Sequence, residues 1–237
     1  MPTKTVVQQP EWWLVEGNRI NLCVPRQWPF PAITCESLLQ TATAELIGLV
    51  GHFGFPFAQP VRLYVFPNSK WLSAFFGIAV TGMAFLKEAS IAIGGDLADP
   101  VPTIRHEMAH LFSGAWGTMD PALKSEGLAV WWEHRHDAAG HEKQVATRLR
   151  EHVLAGRPHR VFDLLDPVVF FAPRDTEACY DLAGGFTRWL IDKFGWVRYR
   201  EFFKRATSAN FGEVFEKKFD MRVCDAEKGW HRNVMGY

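Results

Sequence analysis

The sequence predicts an α+β protein with a small mixed sheet lobe followed by a mainly helical lobe and a cleft between them. Three observations carry this. The first hundred residues mix short alternating or β-branched runs with helical ones. From Asp99 onward the apolar spacing becomes helical. The chain has 237 residues, of which 48% are apolar and 22% charged, enough to bury a core in one domain or two lobes. The expected division is residues 1–98, containing the sheet, and residues 99–237, containing the helices, together forming one domain.

Along the first lobe, Trp12 to Val24 reads as a hairpin turning near Gly17-Asn18. Cys35 to Phe53 is helical, with Leu38, Leu39, Ala42, Leu46, Leu49 and Val50 on one face. Val61 to Phe66 alternates as a strand and stops at Pro67-Asn68, and Ser69 to Phe75 follows as a short helix. Ala89 to Ile93 is a second short strand, ended by Gly94-Gly95.

In the second lobe a helix runs from Thr103 to Ser113 after two prolines and ends at Gly114 and Gly117. Asp120-Pro121 opens the next, with Asp120 as N-cap and Pro121 in the first turn, extending to about His136. Further helices are expected over residues 141–155, 176–194, 196–206, 211–219 and 225–234.

Charge and cysteine content narrow the function. Basic and acidic residues balance at 26 each, so no broad basic footprint for nucleic acid exists. No apolar run reaches membrane-spanning length. The N-terminal residues lack the apolar core of a signal peptide, which leaves a cytoplasmic chain or a trimmed exported one. The four cysteines, Cys23, Cys35, Cys179 and Cys224, form no CxxC pair, which argues against a cysteine zinc site; a Cys23–Cys35 disulfide is compatible with the spacing. The ten Trp and nineteen Phe read first as core.

One helix carries chemistry. His106-Glu107-Met108-Ala109-His110 is an HExxH motif, and histidines four apart project from the same helix face. Two imidazoles one turn apart can meet one ion at about 2 Å each. Glu107 is then placed to reach the attacking water rather than the ion, and to serve as general base. Ile104, Met108, Leu111 and Phe112 give the helix an apolar face for burial. A third ligand is expected from Glu126, fifteen residues past His110 and early in the next helix. Three protein ligands leave the fourth position of a zinc ion open. Glu133 shares the face of Glu126 as a weaker candidate, and His134, His136 and His141 form a dense imidazole group at a polar helix end.

His106-Glu107-x-x-His110 followed by Ser125-Glu126-Gly127-Leu128-Ala129 resembles the gluzincin zinc metallopeptidases, and among them the small peptidase-MA-like domains. Softer similarities lie in Ser90-Ile91-Ala92-Ile93 and in residues 178–195. The resemblance implies a zincin-like fold, Zn2+ held by His106, His110 and Glu126, and Glu107 as base and proton shuttle. It implies a substrate backbone paired along Ile91, Ala92 and Ile93, and Tyr180 as a phenol donor to the oxyanion. Gly184-Gly185 would admit another element closely. Two positions depart from the family. Val130 stands where some gluzincins carry an Asp that orients a ligand histidine, and the GxMEN motif of the aminopeptidase branch is absent, which favours endopeptidase action on a peptide or protein substrate. The alternative is a zinc-retaining binding or regulatory module without catalysis; hydrolysis of a non-peptide amide is a third possibility.

Overall fold

The computed structural model describes residues 11–26, 32–54, 56–157 and 159–236. It is α+β, with a five-stranded mixed sheet followed by helices. The chain divides into two compact units, residues 1–115 and 116–237.

In the first unit, β1 (Trp12–Val15) and β2 (Ile20–Pro25) form the expected antiparallel hairpin, pairing Trp13 with Val24. After α1 (Ala32–Phe53), β3 (Val61–Phe66) joins β2 in parallel. Next come α2 (Ser69–Phe76), β4 (Gly82–Phe85), β5 (Ser90–Gly94) and α3 (Val101–Gly114). Asn68 caps α2 by accepting from the Trp71 amide. The strand order is β1-β2-β3-β5-β4. Because β3 and β5 run parallel, α2 and β4 fall in the crossover between them.

The alternation of each strand sorts the two faces of the sheet. Phe66 and Ala92 face α2 and pack on Leu72, with Trp12, Tyr64, Phe75, Phe76 and Phe85 around them. Leu63, Ile91 and Ile93 point the other way and are fully buried. Gly82, paired with Ile93, points to that second face and meets α3. There α3 buries Ile104, Met108, Leu111 and Phe112. The motif helix therefore belongs with the sheet: the boundary falls after Ala115, not after residue 98, because the apolar face of α3 is consumed by the sheet and α1. Arg105 donates to Glu45 at 2.8 Å, joining α3 to α1 through a largely buried ion pair.

The second unit is helical: α4 (Ala122–Glu133), α5 (Ala138–Ala155), α6 (Pro167–Phe170), α7 (Thr176–Phe194), α8 (Trp196–Arg205), α9 (Phe211–Phe219) and α10 (Val223–Met235). A single 3-10 turn at Asp163–Leu165 and the short α6 are additions to the elements expected from sequence. The central helix is α7, buried along most of its length. Its two glycines are close-approach sites. A side chain on Gly184 would collide with Val130 of α4, and one on Gly185 would come within 2.6 Å of Val145 of α5. Gly127 of α4 faces α7 in return; a Cβ there would stand 2.6 Å from the Ala183 carbonyl.

Asp120 does not cap α4. Its carboxylate accepts from the Ser208 amide and hydroxyl instead, bonds that hold it below the usual carboxylate range, and Pro121 takes the capping position. Cys23, Cys35, Cys179 and Cys224 are free thiols, so no Cys23–Cys35 disulfide forms. Among the described residues no helix is long and apolar enough to cross a membrane.

Candidate metal centre

His106 and His110 lie one turn apart on α3, as the four-residue spacing requires. Their rings meet edge to face with centroids 4.7 Å apart, and the two Nε2 atoms are 3.1 Å apart. Two imidazole nitrogens this close can meet a single ion. A ligand atom from Glu126 joins them: one atom each of His106, His110 and Glu126 lies within 4.8 Å of the others. All three side chains are half-buried. Among the described residues this is the one group of three or more His, Cys, Asp or Glu side chains so arranged. Two imidazoles and one carboxylate are a borderline donor set of the kind that holds divalent transition-metal ions.

Glu107 follows His106 on α3 and is 8% exposed. Its environment includes an element that the sequence reading missed. Strand β4 runs past this side chain, and its first residue, Gly82, leaves the space that the Glu107 carboxylate fills. A Cβ at position 82 would stand 2.7 Å from Glu107 Oε1 and 2.8 Å from its Cγ.

The expected substrate strand requires correction. Ile91, Ala92 and Ile93 lie in β5, which is paired to β3 on one side and β4 on the other. All three are buried. Strand addition needs an unpaired edge, and β5 has none. The terminal strand of the sheet on this side is β4. The one trace of it in the sequence is the short apolar run Gly82-Met83-Ala84-Phe85 ahead of the turn that leads into β5.

Glu126 sits on α4 beside Gly127, whose contact with Ala183 and Thr187 sets the helix close to α7. Val130, which stands in place of an orienting Asp, is a core residue against Gly184. Glu133 is half-buried with a carboxylate oxygen 3.9 Å from His134 Nε2. Tyr180 lies on α7, half-buried, with its ring 5.3 Å from Phe170 and 6.4 Å from Phe171.

The imidazole group at the end of α4 forms a structural pair. His134 and His141 stack face to face at 4.3 Å and 1°. Burial, the His134 ring and the Arg188 cation push the His141 imidazolium down to about 3, so His141 is neutral. Its Nε2 lies 4.0 Å from Asp181, whose other carboxylate oxygen accepts from Gln144 and Arg148. His136 lies in the turn that follows α4.

The chain matches no protein-family model and no curated protein sequence.

Proposed function

We propose that this chain is a zinc-dependent endopeptidase, with His106, His110 and Glu126 as metal ligands and Glu107 as general base. The observation that carries the reading is the convergence of the three ligand atoms within 4.8 Å, with Glu107 next to His106 on the same helix. Bound Zn2+ supplies Lewis acidity, which lowers the pKa of water toward about 7 and polarises the scissile carbonyl.

The residues of the chain do the rest. Glu107 accepts the proton of the attacking water and returns it to the nitrogen of the leaving amine. Its burial beside β4 holds the carboxylate in place through that cycle. An extended substrate adds to β4, whose residues 82–85 pass the base and end the sheet. Tyr180 serves as the phenol that donates to the oxyanion.

The test is metal analysis together with a peptide-library digest of the wild type and of Glu107→Gln. The expected result is one equivalent of zinc in both proteins, with cleavage about 10²–10⁴-fold slower in the variant. Zinc at one equivalent with no cleavage by the wild type would favour a binding module; equal rates in the two proteins would remove Glu107 from the mechanism.

A further inference from the structure

The second unit contains a pocket that the metal centre does not use. It is bounded by α5, α7 and α10 and has a volume of about 460 Å³, within the range of small-molecule sites. Gly185, Arg188, Trp189, Asp192 and Lys193 recur at three- and four-residue steps and so form one stripe of α7. Val145 and Glu142 line it from α5, and Asn233 and Val234 from α10.

The decisive side chain is Arg188. It is 9% exposed, and no carboxylate lies within 4.0 Å of it among the described residues. Its single hydrogen bond there is a long one, 3.4 Å from Nη2 to the His134 carbonyl at the end of α4. Its buried Nε has no partner. A guanidinium carries five donors in a fork that matches a carboxylate, and a buried cation is costly unless paired. This lining residue of the pocket thus lacks an anion.

The other charged residues of the lining have the opposite demand. Glu142 and Asp192 are exposed and make no ion pair among the described residues. Lys193 is turned onto the Trp189 ring, 4.8 Å from its centroid. Two carboxylates repel phosphate and dicarboxylates but attract an ammonium group. Val145, Trp189 and Val234 complete the lining with apolar surface.

We infer that this pocket binds a small zwitterion, a free α-amino acid with an apolar side chain, its carboxylate on Arg188 and its ammonium at Glu142 and Asp192. The site is independent of the peptidase reading.

The test is calorimetric titration of the full chain with L-leucine, L-leucinamide and N-acetyl-L-leucine. Saturable leucine binding is expected, at least about tenfold weaker when either charged group of the ligand is removed. Arg188→Met loses binding and Arg188→Lys weakens it. The exposed pair Glu142→Gln and Asp192→Asn abolishes the preference for leucine over N-acetyl-leucine, and decides the matter if the Arg188 variants fail to fold by circular dichroism. His110→Ala separates this site from chelation at the metal centre and retains binding. No saturable binding at about 10 mM leucine, or binding lost in His110→Ala and kept in Arg188→Met, overturns the inference.

Discussion

Gly82 on the terminal strand of the sheet lies flush against the Glu107 carboxylate, so that a single methyl at position 82 would come within 2.7 Å of Oε1. The atoms in the way are all side-chain atoms, Oε1 and Cγ of Glu107 and the Thr103 methyl, and none is backbone. Gly82→Ala therefore leaves the fold intact and displaces the base. A displacement of about 1 Å at a reacting group lowers the rate by up to about 10²-fold. Peptide hydrolysis should fall about 10- to 100-fold in Gly82→Ala while zinc content stays at one equivalent. A rate equal to wild type would detach Gly82 from the site.

Lys124 is 2% exposed, and its ammonium donates to the Phe203 and Ala206 carbonyls at the end of α8 while lying 4.7 Å from the Phe203 ring centroid. Burial pushes it down to about 8, against the opposing pull of Asp120. Lys124→Met keeps the stem and removes the donor, leaving two carbonyls unmet in a buried place. The expected loss is about 2–4 kcal/mol in urea unfolding. A change below about 0.5 kcal/mol would show that these bonds contribute little.

His141 gives the second unit an acid sensitivity of known sign. Its folded value of about 3 lies below the ordinary 6.5, chiefly through burial and then through His134 and Arg188. The unfolded chain therefore takes up the proton first as pH falls. The stabilising contribution is complete above about 6.5 and declines on acidification toward 3, with a slope approaching about 1.4 kcal/mol per pH unit. Unfolding free energies measured from pH 7 to 4 should fall less steeply in His141→Asn than in the wild type. Parallel curves for the two proteins would exclude the stacked pair as the source.

Local patterns in the sequence announced most helices and four of the five strands, since their period and stop signals are written in adjacent residues. The placement of His106 and His110 one turn apart on α3 was legible for the same reason. What escaped depends on partners distant in sequence. Strand β4 is four residues long and has no period to read; only its pairing with β5 makes it a strand, and only the sheet order makes it the edge. The resemblance that marks Ile91 to Ile93 as a substrate strand rests on local residues, and these do not reveal that both edges of the strand are taken. Asp120 ahead of Pro121 has the chemistry of a cap, and Ser208, 88 residues away, claims it. Gly184-Gly185 signalled a close approach without naming Val130 and Val145 as the neighbours.

The same close packing makes Gly127 a control on the candidate metal centre. It follows Glu126 in α4 and faces α7, where a Cβ would meet Thr187 Oγ1 at 2.5 Å and the Ala183 carbonyl oxygen at 2.6 Å. A hydroxyl can rotate away, but a helix carbonyl cannot, so Gly127→Ala must push α4 off α7. Overpacking of this kind costs about 1–3 kcal/mol. Glu126 moves with the helix that carries it, and a misplaced ligand carboxylate weakens zinc. We expect Gly127→Ala to unfold at lower urea and to bind zinc at least about tenfold more weakly in competition with a chromophoric chelator. Thr187→Ala relieves only the hydroxyl and should restore little of either in the double variant, whereas full recovery would show that the hydroxyl, not the backbone of α7, fixes where α4 lies.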